Sequence, residues 1–351
     1  MTQTYQRLSV LIPACGRQVR PKKRDMKLIL PIAGEGTRLR PHTYTVPKAL
    51  IQVGGKAIIA HILDGILSSV TIEEVIFIVG RLGEKVENYI KEHYNIKATY
   101  IEQTERLGLG HAVFLAKDRF KRWDPALIVY GDTIFNANLK EAIREVDGCI
   151  GVKEVEHPRR FGVAEVKNGV IKRLVEKPQN PASNLALVGV NYIKNTKLLF
   201  TSLEWMIKEG KKTKGEFQLT DAFQLMIEEG ARLEPFMVDE WYDCGKPETL
   251  LLTNRYILEK NGYYEEQKDT VILPPVYIHP SAKVAKSVIG PYVSISENAH
   301  IISSIIKDSI IGEGAYIEGY VLASSVIGEH AICKGTFKHL NVGDSSSVEI
   351  T

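Results

Sequence analysis

Glycine, arginine and lysine side chains gather in one short stretch, "LPIAGEGTRLRPHTYTVPKAL", at residues 30–50. Gly34 and Gly36 allow the backbone to approach phosphate oxygens closely and to aim N–H groups at them. Arg38 adds a planar, forked donor for phosphate, and Lys48 adds a mobile point charge. We therefore predict that this stretch binds a phosphate-bearing ligand.

The glycines alone do not identify the ligand. A G-x-G pattern most often serves a tight turn between a strand and a helix. The dinucleotide pattern G-x-G-x-x-G is absent, because Leu39 stands three residues after Gly36. The "GGK" at residues 54–56 does not complete a Walker loop, because Leu50 stands where the first glycine is required.

The elements that position this stretch alternate between apolar strands and amphipathic helices. "KLILPI", "EEVIFIV", "ATYIEQ" and "ALIVYGD" read as buried strands, whereas "AIIAHILDGILSSV", "GEKVENYIKEHY" and "GHAVFLAKDRF" have helical spacing. This alternation predicts an α/β fold with a Rossmann-like, mixed and mostly parallel sheet. Ligands of such sheets bind beyond the carboxyl ends of the strands, where residues 33–38 lie. Farther along, Asn168-Gly169 between two alternating runs predicts a β-hairpin.

The last part of the chain repeats every six residues. Aliphatic side chains recur at this spacing in four groups: Ile278 and Val284; Ile289, Ile295 and Ile301; Ile311 and Ile317; Val326 and Ile332. Such a repeat is typical of a short parallel, left-handed β-helix, in which each turn buries its aliphatics against the next. An antiparallel β domain is the alternative, but its alternation would give a period of two.

Charge and cysteine usage limit the partners of the chain. The first 25 residues carry six basic side chains and one acid, which leaves 39 basic and 41 acidic residues elsewhere. We therefore expect no binding to nucleic acid. No apolar run approaches the roughly 20 residues of a membrane helix, so no membrane partner is expected. The four cysteines lie far apart and form no C-x-x-C pair, which favours the cytoplasm.

The opening stretch resembles the signature of a known enzyme family. Its run G-x-G-T-R-L-R-P, followed by T-x-x-x-P-K-A-L and then G-K, is similar to that of the sugar-1-phosphate nucleotidyltransferases, the nucleotide-sugar pyrophosphorylases. The resemblance implies that Arg38 and Lys48 are catalytic. It also implies nucleotide binding by a further group in the same loop, namely Ala33, Gly34, Gly36 and Thr37.

Two further segments resemble the substrate-binding segments of the family. "EQTERLGLGHAV" is similar to the base-reading segment of the pyrimidine-using members, which implies that Gln103 and Gly108 read the base edge. "FGVAEV" and "VEKP" resemble the sugar segment. This likeness implies that Gly162 and Glu176 hold sugar hydroxyls and that Lys177 holds the sugar's phosphate.

The implied cofactor is Mg²⁺, with Asp132 of "VYGDTIF" and Asp243 of "WYDCG" as its ligands. In the implied reaction, an oxygen of the sugar-1-phosphate attacks the α-phosphorus of a nucleoside triphosphate in line and expels pyrophosphate. The attacking group is already an anion, so charge neutralisation and alignment are required and a general base is not. Thr133 replaces an asparagine that often follows the metal aspartate, which is a departure from the family pattern.

The composition, the six-residue repeat and the resemblance together predict the following organisation. We expect a disordered N-terminal extension at 1–25, the nucleotidyltransferase domain at 26–262, the β-helix at 271–340 and a tail at 341–351. The β-helix is expected to serve assembly or regulation, and its last coil, an uncapped β edge, favours a homo-oligomer. Its few turns argue against an acyltransferase, which needs many coils.

The identity of the substrates stays open at this point. The "TRLRPHT" continuation and the terminal repeats resemble long-form glucose-1-phosphate thymidylyltransferases, so dTTP and glucose-1-phosphate are favoured. A UTP–glucose-1-phosphate uridylyltransferase is the alternative, because "PIAGEGTR" is closer to how those members begin. A GTP and mannose-1-phosphate enzyme is also open. A non-catalytic regulatory member is less favoured, because it should have lost Arg38, Lys48, Asp132 or Asp243.

Overall fold

The computed structural model describes residues 26–121, 124–262, 264 and 266–335. The predicted N-terminal extension and C-terminal tail, together with residues 336–340 of the predicted β-helix, lie outside the described residues. Within the described part of the chain, no helix combines the length and apolar character needed to cross a membrane.

The part of the chain before residue 262 consists of short strands and helices in alternation. Its strands are β1 (Met26–Pro31), β2 (Gln52–Val53), β3 (Lys56–Ala57), β4 (Ile72–Val79), β5 (Ala98–Glu102), β6 (Ala126–Val129), β7 (Thr133–Asn136), β8 (Gly148–Glu154), β9 (Gly162–Lys167), β10 (Val170–Glu176), β11 (Leu185–Ile193), β12 (Leu233–Met237) and β13 (Glu240–Asp243). Its α-helices are α1 (Ile58–Ser69), α2 (Gly83–His93), α3 (Leu109–Phe114), α4 (Leu139–Ala142), α5 (Thr196–Lys208), α6 (Leu219–Glu228) and α7 (Pro247–Asn261).

Nine strands form one mixed sheet, which confirms the predicted α/β fold class. The strand order is β10-β9-β11-β6-β1-β4-β5, with β8 paired to β11 and β12 paired to β8. Strands β6, β1, β4 and β5 run parallel, as in a Rossmann-like sheet, whereas β11 runs antiparallel to β6 and β8. The hairpin between β9 and β10 turns at Asn168 and Gly169, both with positive φ, as predicted.

Strand β1 shows how the sheet builds a core on each face. Successive side chains of a strand point to opposite faces. Leu28 and Leu30 accordingly pack in one cluster with α1, whereas Ile29 packs in a second cluster with α5 and α6. All three side chains are buried, so this strand has no face toward solvent. After Lys27, the run "LILPI" is therefore continuously apolar, as a strand covered on both faces requires.

The C-terminal strands stack as a left-handed β-helix does, in three parallel sheets of four strands each. The strands are β14 (Val271–Ile272), β15 (Val276–Ile278), β16 (Lys283–Ala285), β17 (Val288–Ile289), β18 (Val293–Ile295), β19 (His300–Ile302), β20 (Ile305–Lys307), β21 (Ser309–Ile311), β22 (Tyr316–Glu318), β23 (Val321–Ala323), β24 (Val326–Ile327) and β25 (Ile332–Lys334). The predicted inward aliphatics of the first three groups are all buried, namely Ile278, Val284, Ile289, Ile295, Ile301, Ile311 and Ile317.

The fourth predicted group, Val326 and Ile332, was wrong. Ile332 is 72% exposed, and it is Ile327 and Cys333 that pack against the core of the β-helix. Residues 326 and 327 are both aliphatic, so the sequence pattern did not fix which of them faces inward. A slip of one residue turns every side chain of a strand to the opposite face.

Helix α7 joins the sheet domain to the β-helix through buried polar contacts. The fully buried Asn254 accepts hydrogen bonds from the Gly54 backbone N–H (2.8 Å) and from Ser294 Oγ (2.5 Å), and it donates to the Tyr292 carbonyl (3.3 Å). Because a buried polar group must be hydrogen-bonded, this one side chain fixes three segments to one another.

An ion pair and an apolar contact add to this junction. The Arg255 guanidinium donates to both carboxylate oxygens of Asp308, at 2.6 and 2.5 Å, and lowers the pKa of that carboxyl. Ile310 of the β-helix is buried in the same apolar cluster as β1 and α1. The two parts of the chain therefore share a core.

Replacing Asn254 with leucine should destabilise the whole chain. The Gly54 N–H and the Ser294 hydroxyl would lose their acceptor, at a cost of about 2–4 kcal/mol in the free energy of unfolding. Chemical denaturation measures this loss. Leu252→Ala, on the exposed side of the same helix, is the control and should change stability by less than about 0.5 kcal/mol. Equal stability of the Asn254→Leu variant and the wild type would contradict the bridging role.

Candidate active site

The loop after β1 folds back on itself at Gly36. This glycine has a φ of 61°, in the left-handed region, and its carbonyl accepts a 2.9 Å hydrogen bond from Thr43 Oγ1. A Cβ at Gly36 would lie 2.9 Å from Thr43 Cγ2 and 3.3 Å from Lys48 Cβ. Only glycine fits this close approach, which brings Lys48 back over the start of the loop.

The loop after β6 lies directly beside the loop after β1. A Cβ at Gly131 would lie 2.0 Å from Ile32 Cγ2, so glycine is required for the two loops to pack. Because β1 and β6 are adjacent and parallel, both loops leave the sheet at the same edge. Asp132, which follows Gly131, therefore lies next to the glycine- and lysine-bearing loop.

A cleft of about 560 Å³ opens at this edge of the sheet. Nine of the predicted site residues line it, namely Ala33, Gly34, Gly36, Thr37, Arg38, Lys48, Gln103, Gly108 and Asp132. These residues come from the loops that follow β1, β5 and β6, so the cleft lies where ligands of open α/β sheets bind.

Charged groups of both signs converge at one end of the cleft. Lys48 Nζ lies 2.7 Å from Asp132 Oδ2. Asp243 ends β13, which pairs with β7 and so runs beside Asp132. A Cβ at Gly245, which lines the cleft, would lie 2.7 Å from both Arg38 Nη2 and Asp243 Oδ1. The four predicted catalytic and metal-binding side chains are thus brought together.

The carboxylates have the character of a cation site. Burial raises the pKa of Asp243, the negative charge of Asp132 adds to this effect, and Lys48 and Arg38 oppose it. The described residues contain no cluster of three or more histidine, cysteine or acidic side chains that could enclose a metal ion. Mg²⁺ does not need such a cage, because it is commonly held by one or two carboxylates plus substrate phosphates. Asp132 and Asp243 fit that requirement.

The three residues of the predicted sugar segment lie together but outside the cleft lining. Gly162 pairs with Glu176 across the β9–β10 hairpin. The Glu176 carboxylate accepts a 2.8 Å hydrogen bond from Thr220 and lies 3.3 Å from Lys177 Nζ. Tyr130 lies between the cleft and the sugar segment. It lines the cleft, and its pKa is raised first by burial and then by the negative charges of Glu176 and Asp132.

Several residues of the site were missed from the sequence. Glu35 accepts from Arg106 at 2.6 Å and from Arg40 at 3.2 Å, which ties the segment "EQTERLGLGHAV" to the glycine loop. His111 contacts the side chain of Gln103. Glu35 lies in the stretch at residues 30–50, and Arg106 lies in "EQTERLGLGHAV". Their opposite charges could have been recognised as a possible ion pair from the sequence. His111 gave no comparable signal.

Comparison with known proteins agrees with this site at the edge of a Rossmann-like sheet. The model of the nucleotidyl transferase family matches residues 27–260, and the chain belongs to this family. The predicted likeness to sugar-1-phosphate nucleotidyltransferases is thereby confirmed at the level of the family.

Three relatives illustrate the match. The chain is 34% identical to the low-salt glycan biosynthesis nucleotidyltransferase Agl11 of Haloferax volcanii, over 67% of this chain and 66% of that protein. It is 29% identical to a glucose-1-phosphate thymidylyltransferase of Streptomyces griseus, over 82% of this chain and 87% of that protein. A solved Bacillus anthracis structure described as a glucose-1-phosphate thymidylyltransferase matches with a TM-score of 0.60 and 25% identity, over 69% and 98% of the two chains. The chain thus spans just under two thirds of the length of the Haloferax protein.

Alanine substitution should affect stability differently at the two loop glycines, Gly36 and Gly34. Gly36→Ala should lower the free energy of unfolding by about 1–3 kcal/mol, because alanine is strained at this φ and its Cβ meets Thr43. Gly34→Ala is the matched control, since a Cβ there meets no atom within 4 Å. Denaturant midpoints of the two variants measure the difference. Equal midpoints would contradict the account of the turn.

Proposed function

We propose that the protein condenses a nucleoside triphosphate with a sugar-1-phosphate to give a nucleotide-sugar and pyrophosphate. The observation that carries this proposal is the convergence of Lys48, Arg38 and Asp132 in a cleft that the glycine-rich loop also lines, with Asp243 next to the cleft-lining Gly245. Joining two phosphates requires cations to offset their repulsion and fixed groups to align them. The cleft supplies both kinds of group.

Each side chain has a role that follows from its position. Lys48 neutralises the α-phosphate, where charge develops in the transition state, and Arg38 stabilises the departing pyrophosphate. Asp132 and Asp243 would hold Mg²⁺, which would supply positive charge to offset the repulsion between the two phosphates. The 2.7 Å ion pair between Lys48 and Asp132 places the lysine ammonium beside the proposed metal carboxylate, where both can act on the same phosphate.

The remaining predicted residues bind the two substrates. Ala33, Gly34, Gly36 and Thr37 present the backbone of the loop to the triphosphate. Glu176, oriented by Thr220, accepts hydrogen bonds from sugar hydroxyls beside Gly162. Lys177 lies next to Glu176 and binds the sugar's phosphate.

We propose dTTP and glucose-1-phosphate as the substrates. The alignment with the Streptomyces thymidylyltransferase covers 87% of that protein and supports this choice. UTP is the second candidate, because uracil presents the same hydrogen-bonding edge as thymine and one methyl group discriminates by only about 1–3 kcal/mol. Two further alternatives are an enzyme that uses GTP and mannose-1-phosphate and a non-catalytic regulatory member of the family. Each would give a distinct result in the assay below.

We further propose a cytoplasmic homo-oligomer. The buried thiols of Cys149 and Cys244 are free, as in a reducing compartment. Val321 and Ile332 expose 76% and 72% of their surface on the last described coil of the β-helix, which favours association with another copy.

Pyrophosphate release tests the proposed function. The purified protein is supplied with Mg²⁺ and glucose-1-phosphate, and dTTP, UTP, CTP, GTP and ATP are compared in parallel. We expect release with dTTP or UTP, and the ratio of their rates chooses between the two names. If no pyrophosphate is released with any of the triphosphates and a panel of hexose-1-phosphates, the result would instead favour a non-catalytic member of the family.

Removing single charges should abolish turnover while the fold is kept. Asp132→Asn should lower kcat about 1,000-fold or more through loss of the metal, and Lys48→Ala about 100- to 1,000-fold. Asp118→Asn and Lys172→Ala, both exposed and neither among the residues that line the cleft, are the matched controls and should turn over normally. Normal rates for Asp132→Asn would remove it from the metal site.

A further inference from the structure

The amide orientation of Gln103 is fixed by a neighbouring backbone carbonyl. One amide atom of Gln103 lies 3.1 Å from the Gly108 carbonyl oxygen. A carbonyl oxygen can only accept, so that amide atom must be the Nε2 donor. The same Nε2 lies 3.1 Å from Nδ1 of His111, one helical turn into the following segment. Both hydrogens of the Gln103 amide are thereby used in these two hydrogen bonds, and its oxygen is left for another donor.

These contacts also fix the state of His111. Its Nδ1 must accept the second Nε2 hydrogen of Gln103, which places the imidazole proton on its own Nε2. Burial lowers the pKa of His111, and the nearby Glu105 carboxylate opposes this effect without reversing it. The ring is therefore neutral at physiological pH and is a permanent acceptor for the amide.

One acceptor and one donor are left beside each other in the cleft. Among the described residues, neither Oε1 of Gln103 nor the backbone N–H of Gly108 has a hydrogen-bond partner, and both residues line the cleft. Gly108 is held in place because it has a φ of 106° and a Cβ there would lie 2.7 Å from the Phe217 carbonyl oxygen. The pair complements a base edge that carries a ring N–H next to a carbonyl.

We infer that His111 is a positioning residue that selects the nucleobase by holding the Gln103 amide with its oxygen free. Uracil, thymine and guanine present a ring N–H beside a carbonyl and match this pair. Cytosine and adenine present a ring acceptor beside an amino donor. Their ring nitrogen would face the acceptor oxygen of Gln103, and their amino group would face the N–H donor of Gly108, so neither hydrogen bond could form. The inference rests on the proposed function, because it takes this part of the cleft as the base site.

Without His111, the amide would keep one hydrogen bond, to Gly108, and lose the second. The flipped amide, with Nε2 toward the base, would then become more populated. In the wild type, flipping the amide breaks two hydrogen bonds, to Gly108 and to His111, whereas without His111 it breaks only one. A single hydrogen bond contributes about 1 kcal/mol, so selection between the two base classes should weaken by about 5-fold. Binding of the sugar-1-phosphate, at other residues, should not change.

The test compares His111→Leu with His111→Asn. Leucine removes the acceptor at similar size, whereas the Oδ1 of asparagine can replace Nδ1. The kcat/KM values for dTTP, UTP, CTP and ATP are measured with glucose-1-phosphate and Mg²⁺, and calorimetry measures the binding of the same nucleotides without turnover. His111→Ala replaces the leucine variant if circular dichroism shows that the latter is unfolded.

We expect His111→Leu to lower KM for CTP and ATP about 5-fold and to change KM for dTTP and UTP by less than about 2-fold, because the remaining bond to Gly108 still favours the original amide orientation. The kcat values and the KM for glucose-1-phosphate should not change. The UTP-to-CTP ratio of kcat/KM should fall about 5-fold, and His111→Asn should restore it. An unchanged ratio in His111→Leu, or an asparagine variant as impaired as the leucine one, would overturn the role of His111. Nucleotide binding with the expected ratios but without pyrophosphate release would support His111 and contradict the proposed reaction, so the two failures are distinguishable.

Discussion

The 2.7 Å ion pair between Lys48 and Asp132 joins the two loops on which the rest of the site depends. The loops follow β1 and β6, which are adjacent and parallel, so their opposite charges meet at one edge of the sheet. Two glycines make this contact possible, Gly36 by its left-handed turn and Gly131 by its close approach to the neighbouring loop. The sheet topology therefore delivers a cation and a carboxylate to one place, and we interpret that place as the point of phosphoryl transfer.

The β-helix is physically continuous with this site. Helix α7 begins two residues after Gly245, whose backbone lies between Arg38 and Asp243, and it carries Asn254 and Arg255 to the β-helix. Asn254 also binds the turn that follows the Lys48 loop. These contacts tie the β-helix both to the turn after the lysine-bearing loop and to the helix that follows the segment of Asp243.

Local patterns allowed much of the fold to be predicted from the sequence. The apolar run of β1, the Asn168-Gly169 turn and the inward aliphatics of the first coils depend on neighbouring residues, so the sequence was sufficient for them. Ile332 was misplaced because two adjacent aliphatics, at 326 and 327, satisfy the repeat equally well. The convergence of Asp132 with Lys48 spans 84 residues and follows from sheet topology, which the family likeness supplied. His111 could not be predicted, because its importance lies in a side-chain geometry that no spacing encodes.

We propose a single in-line displacement in which charge alignment replaces a covalent nucleophile. The most direct test uses a nucleoside triphosphate of defined configuration with sulfur at the α-phosphorus, and phosphorus magnetic resonance of the nucleotide-sugar product. One displacement by the sugar phosphate predicts inversion of configuration at the α-phosphorus. Retention would mean two successive displacements through a covalent enzyme intermediate, and it would contradict the roles assigned here to Lys48, Arg38, Asp132 and Asp243.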